Sequence, residues 1–212
     1  MEDNKLSEDL ENKTSSIDSS RRRFTKSGLT ASGVILTLAS RPVLANLGVC
    51  KSPSGFLSGN VSAQGDPLYC DGRSPEYWMN NPKSWTAAAG YEPGEYRPPT
   101  GSSQNVNRLN GWVGGTKFSE VFGSSHYDTG SVEYSLMQVL WMQDQDPYQI
   151  GGHCVAAVLN AAAGFTPPSA LDEASVINMF MEWETTGIFH PTAGVDWGPT
   201  EIVYYIQSTF SG

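Results

Sequence analysis

The sequence predicts a mainly α protein, with an irregular, disulfide-stapled N-terminal part followed by a compact bundle of about four helices. Three observations lead there. Beyond residue 130 the apolar residues recur at helical spacing in four runs, three of them opened by a capping signal and two closed by glycine. Before residue 116 the chain is rich in Gly, Ser and Pro and holds two cysteines twenty residues apart. Gly and Pro number 22 and 13 among 212 residues, above average but short of a low-complexity chain.

The first 45 residues stand apart from this plan. Residues 1–20 are polar and carry almost no core-forming side chains, which predicts disorder. Ser20-Arg21-Arg22-Arg23-Phe24-Thr25-Lys26 follows, then a weakly apolar run from Ser27 to Ser40, then Arg41-Pro42-Val43-Leu44-Ala45. A charged region, a short apolar region and a small-residue exit make the layout of a secretory signal. An apolar stretch of about fourteen residues is too short to span a bilayer core of about 30 Å as a helix. Arg21, Arg22, Arg23, Phe24 and Lys26 resemble the twin-arginine (Tat) signal, S/T-R-R-x-F-x-K, at every fixed position. The resemblance implies export of a folded protein from a bacterial cytoplasm, with the Tat translocase as a transient partner and a periplasmic or secreted destination. Val43-x-Ala45 approximates a small-x-small cut site, so cleavage is expected after Ala45.

Removing 45 residues from 212 leaves 167, a size that suits one domain with a real core. The whole chain has 13 basic and 22 acidic residues, a net charge of −9. The part after Ala45 keeps six basic and sixteen acidic residues, a net of −10. From Phe118 to Gly212 there are eleven acidic residues and no Lys or Arg. Such a segment must solvate its acids, offer them to metal ions or pair them with another chain. This balance disfavours general nucleic-acid binding, which needs a basic face to hold phosphates, and no nucleic-acid partner is expected. Asp144-Gln145-Asp146 is the nearest approach to a calcium loop and lacks the rest of that motif.

Within 46–115 the chain reads as loop up to Arg73. Cysteines of an exported protein usually pair. Cys50 and Cys70 flank the part where a staple helps most, and a loop of about twenty residues contributes on the order of 3 kcal/mol. Cys154 lies in an apolar helical run and reads as a buried thiol; with three cysteines it is also available as a partner for either of the others. Ser74-Pro75 starts a short helix, with Ser as N-cap and Pro in the first turn. Asn81-Pro82 restarts a second by the same logic, running to Ala89. Residues 90–115 read as a long surface excursion.

Within 116–212 four helices are expected. Residues 131–143 place Val132, Leu136, Val139 and Leu140 on one stripe. Asp146-Pro147 opens the next helix, whose Val155, Val158, Leu159 and Ala162 face one side until Gly164 ends it. Ser169-x-x-Asp172 resembles a capping box for a helix ending at Gly187. Gly198-Pro199-Thr200-Glu201 opens the last, with Ile202, Val203, Tyr205 and Ile206 apolar.

The motif with the most character is Ser74-Pro75-Glu76-Tyr77-Trp78-Met79-Asn80-Asn81-Pro82-Lys83-Ser84-Trp85. It resembles a box, roughly S-P-G-Y-W-K-N-H-P-x-x-W, found in a loose set of secreted bacterial proteins of unknown activity. A second segment of that set, like R-x-A-V-A-A-L-L-N-A, is similar to residues 153–162 here. Glu76, Met79 and Asn81 stand where the pattern has Gly, Lys and His. The surviving Tyr, Trp, Asn, Pro and Trp are packing and capping residues. If exposed, Tyr77, Trp78 and Trp85 make a stacking platform for a glycan or protein partner.

His126, His153 and His190 show no metal-ligand spacing. They reach a common site only by converging in space with Asp128 or Asp196. No G-x-S-x-G elbow, phosphate loop or C-x-x-C is present. No cofactor and no metal site is predicted. The expectation is an exported, extracytoplasmic, non-enzymatic binding, structural or surface-associated protein that does not span the membrane once mature. The alternatives are a small hydrolase or metal enzyme using convergent His and Asp residues, and a subunit of an extracellular assembly.

Overall fold

The computed structural model describes residues 49–58, 67–98, 108–142, 145–146 and 148–211. The export-signal residues Arg21, Arg22, Arg23, Phe24 and Lys26, the cut site at Ala45, and Asp144 and Pro147 lie outside them. In chain order the elements are α1 (Pro53–Ser58), α2 (Pro75–Asn80), a 3-10 helix (Pro82–Ala87), β1 (Glu95–Tyr96), a second 3-10 helix (Arg108–Gly111), β2 (Trp112–Val113), α3 (Phe118–Phe122), α4 (Leu136–Trp141), α5 (Ile150–Ala162), α6 (Glu173–Thr186), β3 (Phe189–Thr192), β4 (Val195–Trp197) and α7 (Pro199–Gln207).

α5 is the axis of the core. Its sequence, IGGHCVAAVLNAA, is small and apolar almost all round, and every residue from His153 to Asn160 is buried. A helix apolar on all sides needs neighbours on all sides. α2, α4, α6 and α7 supply them. The small side chains of α5 let these neighbours approach, and large ones fill the gaps: Trp78, Phe180, Tyr205 and Leu136 are fully buried around it.

The helix ends follow capping chemistry. Ser74 accepts the Tyr77 N–H at 3.3 Å, with Pro75 in the first turn, as the sequence predicts. Asp172 caps α6 by accepting the Ser175 N–H at 2.8 Å, and Gly187 ends it at φ 82°. Glu201 accepts the Gly198 N–H at 3.1 Å to open α7.

Several expectations are corrected. The stripe beginning at Val132 does not start a helix. Ser135 and Gln138 form a reciprocal capping box, at 2.9 and 3.3 Å, that fixes the start at Leu136. Val132 instead closes a turn with Thr129 and is 47% exposed. The helix expected from Asp146-Pro147 begins at Ile150, because Gln149 adopts φ 55° and breaks the turn before it. The second box helix is a 3-10 helix, and Asn81 does not cap it. Its side chain turns back and donates to the Tyr77 carbonyl at 2.8 Å.

Two small antiparallel ribbons interrupt the mainly α plan. β1 pairs with β2, Glu95 opposite Val113 and Tyr96 opposite Trp112, inside the stretch read as a surface excursion. Leu109 and Trp112 are buried there. β3 pairs with β4, Phe189 opposite Trp197, turning at Gly194 with φ 78°. The staple is Cys50–Cys70, with Cα atoms 5.5 Å apart, and Cys154 is a buried free thiol. Among the described residues no helix is long and apolar enough to cross a membrane.

Adjacent glycines of α5 give a test of this packing. A Cβ on Gly151 would overlap the Tyr127 phenol, whereas a Cβ on Gly152 meets open space. Gly152→Ala is expected to stabilise by about 0.5–1 kcal/mol through helix propensity. Gly151→Ala is expected to destabilise by about 1–3 kcal/mol through overpacking. Urea denaturation of the two variants measures both signs.

Candidate functional site

The aromatic box is a self-contained unit. The Trp85 indole N–H donates to the Trp78 carbonyl at 3.1 Å, and the Tyr77 hydroxyl contacts the Ser84 hydroxyl at 3.2 Å. Trp78 meets Trp85 edge-on at 6.4 Å and stacks on Phe165 at 6.1 Å. Exposure decides what these rings can do: Trp78 is 0% and Trp85 1% exposed. The stacking platform expected of Tyr77, Trp78 and Trp85 is therefore corrected. Both indoles are core, and Tyr77 is half-buried beneath the Arg73 guanidinium, 5.6 Å from its ring centroid.

The box is tied to α5 by one residue that sequence reasoning did not single out. The Asn160 amide is fully buried. Its Oδ1 accepts the Trp78 indole N–H at 3.0 Å and the Arg73 backbone N–H at 2.8 Å. Its Nδ2 donates to the Arg73 carbonyl at 2.9 Å. The only hint of this in the sequence is an Asn inside an otherwise apolar helix, where a buried amide must find partners.

The three histidines lie in separate settings. His126 Nδ1 stands 3.6 Å from Glu184. Beside it the Ser124 hydroxyl donates to the same carboxylate oxygen at 2.5 Å and accepts the His126 backbone N–H at 3.0 Å. Serine, histidine and glutamate thus meet, but in the wrong order for nucleophilic catalysis. The serine proton is held by the carboxylate, whereas activation requires the imidazole between the two. His190 has Nδ1 at 2.6 Å from Glu182 and Nε2 at 3.3 Å from Asp196, so both ring nitrogens are engaged by carboxylates. His153 is buried. Its Nδ1 lies 2.7 Å from the Gln149 carbonyl and its Nε2 lies 3.1 Å from the Gln207 amide nitrogen. This pairing makes Nδ1 the protonated nitrogen of a neutral ring. Burial holds its pKa below the ordinary value, against the opposing pull of the Gln149 carbonyl, Glu76 and Asp146.

A small cleft at the N-terminus of α5 gathers the remaining polar groups. Glu76, Asp146, Gln149 and His153 line it, with Pro75 and Gly152 at its rim, and its volume is about 10 Å³, the room of about one water. Asp146 is buried and satisfied by the Tyr127 hydroxyl at 2.8 Å, the Gly151 N–H at 2.9 Å and the Tyr148 N–H at 3.3 Å. Burial and Asp146 together push the Cys154 thiol well above its usual range, which makes it unreactive. Asp128 accepts the Tyr134 N–H and meets none of the histidine rings by hydrogen bond. Among the described residues no group of three or more His, Cys, Asp or Glu is placed to hold a metal ion. No family model, curated protein or solved structure matches the chain.

Two outcomes test this wiring. Asn160→Leu leaves the buried Trp78 indole N–H and two half-buried Arg73 backbone groups without this partner, and a loss of about 2–4 kcal/mol is expected. Trp78→Phe removes one donor and is expected to cost about 1–3 kcal/mol; urea unfolding measures both. For His153 the folded-state pKa lies below the unfolded value of about 6.5. The neutral ring therefore contributes stability above that pH, and the contribution is lost as pH falls through the folded-state value. The destabilisation by His153→Gln is expected to be largest at neutral pH and to shrink steadily toward pH 5. A pH-independent difference would contradict it.

Proposed function

We propose that the chain is an exported, extracytoplasmic, non-enzymatic binding or structural protein that meets its partner through an acidic surface. One observation carries the reading: among the described residues, Asp146, His153 and His190 are each tied by hydrogen bonds, and the box tryptophans are core. Trp78 and Trp85 are core. Asp146 has three donors, His153 has both nitrogens bonded, and His126 and His190 each face their own carboxylates. General acid–base work requires a group within hydrogen-bond reach of substrate and free to exchange a proton there. The cleft beside His153 accommodates a water rather than a substrate.

Export is supported by the Arg21–Lys26 signal and by the Cys50–Cys70 disulfide, which fits an oxidising compartment. The partner would be cationic. Glu120, Glu133, Glu184, Asp196 and Glu201 are exposed in a half of the chain without Lys or Arg. Opposite charge across an interface speeds encounter and makes it salt-dependent.

Replacing Arg21 and Arg22 together by Lys is expected to abolish the exported form in the native bacterium and to accumulate precursor in the cytoplasm. Immunoblots of cell fractions read this, and unchanged export refutes the Tat reading. In a deletion strain, His126→Ala and His190→Ala are each expected to restore the wild-type phenotype at wild-type protein level. A folded, normally exported variant that fails to complement overturns the non-enzymatic reading.

A further inference from the structure

The described contacts that hold segment 49–58 to the rest of the chain include two prominent sets, besides the Lys51 carbonyl on the Tyr205 hydroxyl, Cys50 clustered with Ala170 and the packing of α1 on β3. One set is the staple itself: the Cys50–Cys70 bond, the Cys50 N–H to Leu68 carbonyl bond at 2.9 Å and the Val49–Tyr69 bridge beside it. The other is a hydrophobic plug. Phe56 of α1 meets Tyr205 at 5.4 Å, Tyr204 at 6.0 Å and Trp197 at 6.1 Å, all edge-on, and Leu57 packs alongside. A six-residue helix does not persist by itself in water. Its order depends on such attachments to the body.

The two cysteines differ in who positions them. Cys70 is placed by the body of the protein. Next to it the Asp71 N–H donates to the Phe165 carbonyl, the Gly72 N–H to the Thr209 carbonyl and the Arg73 N–H to Asn160. Cys50 is brought there by segment 49–58, held by Phe56, by the Tyr205 bond to the Lys51 carbonyl and by its own backbone bond to Leu68. The buried Tyr205 hydroxyl is equally telling. It lies 3.0 Å from the Lys51 carbonyl and 3.2 Å from the Ala170 carbonyl, and it has one proton to give. With segment 49–58 absent, Ala170 still accepts that proton. The body therefore satisfies its buried hydroxyl without the segment.

We infer that Cys50–Cys70 is a redox latch. The body folds with both thiols reduced, Phe56 then docks, and the disulfide closes and seals 49–58 over the Trp197–Tyr205 aromatic cluster. Closure is ordinary thiol–disulfide exchange with a disulfide oxidant, such as a small-molecule disulfide or an oxidase's cysteine pair. One thiolate attacks a sulfur of the oxidant to form a mixed disulfide and release one thiolate. The second protein thiolate displaces the other half. The protein loses two electrons and two protons, and the oxidant leaves as two thiols. A reducing dithiol runs the same steps backward and frees the segment, uncovering the aromatic cluster. The inference does not depend on the export route, so a failure of the Tat reading leaves it intact.

The test uses the full chain treated with dithiothreitol under native conditions. Iodoacetamide followed by mass spectrometry is expected to add two labels, at Cys50 and Cys70, and none at Cys154, which the body keeps buried. Near-UV circular dichroism is expected to stay largely native, while the Phe56 amide, which donates to Ser52, loses its protection from hydrogen exchange. Oxidised glutathione is expected to restore it. Three labels, or cooperative loss of the near-UV signal, would show that the body cannot stand without the staple and overturn the latch. Unchanged protection at Phe56 after reduction overturns it equally. A second variant needs no reduction step. Phe56→Ala is expected to lower the equilibrium constant for closing the disulfide in a glutathione buffer about tenfold, because docking supplies the effective concentration of Cys50. An unchanged constant contradicts docking as the step that delivers Cys50.

Discussion

The architecture turns on the buried amide of Asn160. α5 is packed on all sides, so any polar group it carries must be answered inside the core. Asn160 is answered by the Trp78 indole and by both backbone groups of Arg73. Those bonds fix where the chain enters α2, and with it where the box begins. Trp78 then positions Trp85 through its carbonyl. The C-terminal strand of chain joins the same place: Gly72 pairs with Phe210, and the Ser211 N–H donates to the Gly72 carbonyl at 2.8 Å. One side chain thus holds a helix, an aromatic module and the end of the described chain in register. A single amide can do this because leaving any of its partners unmet in the core costs more than the bond itself contributes.

The acidic half resolves its lack of Lys and Arg in a way that charge counting does not anticipate. Solvent, metal or another chain are the three outlets that arithmetic suggests. The structure uses a fourth, neutral donors. Glu173 accepts the Tyr91 hydroxyl at 2.5 Å, Glu184 the Ser124 hydroxyl, Asp146 the Tyr127 hydroxyl, and Asp128, Asp172 and Glu201 accept backbone N–H groups. Several of these stand at helix starts, where unpaired N–H groups favour an anion. The remaining counter-charges available within residues 118–212 are histidines, and His126 and His190 both sit on carboxylates near the end of α6. The carboxylates are thus local fasteners as well as surface charge.

What the sequence made legible was chemistry confined to a few neighbouring residues. Ser74-Pro75, the Gly187 stop and Gly198-Pro199-Thr200-Glu201 act through contacts three or four positions apart, and the helices start or end there. The pairing of Cys50 with Cys70 was legible for another reason: an exported chain tends to pair its cysteines, and these two flank the loop-rich stretch, although Cys154 was also available. The failures share the opposite cause. Val132 has helical spacing to Leu136, but a competing box at Ser135–Gln138 claims the backbone first. The β1–β2 ribbon joins residues sixteen and eighteen apart across a Gly- and Pro-rich stretch, where no periodic pattern announces a strand. Gln149 holds a left-handed conformation that side chains other than Asn, Asp and Gly rarely take. Gln149 is bonded to Asp146 and His153, three and four positions away, but no residue preference in the sequence marks it for this conformation. The site followed the same rule. Asn160 was invisible because its partner Trp78 lies 82 positions away.

The box shows why a recognisable motif need not be a binding site. Its residues divide by where they stand. Trp78 and Trp85 are core, Met79 is buried, and Asn81 and Tyr77 are bonded to each other within the box. Glu76 and Asn81 are exposed, and Glu76 lines the cleft at the start of α5. A box whose large aromatics are core is a scaffold element. Its identity reports how the chain folds, and its surface positions are free to set what the chain meets. By that logic the aromatic residues that drew attention in the sequence report packing, because burial rather than residue type decides what an aromatic ring can meet.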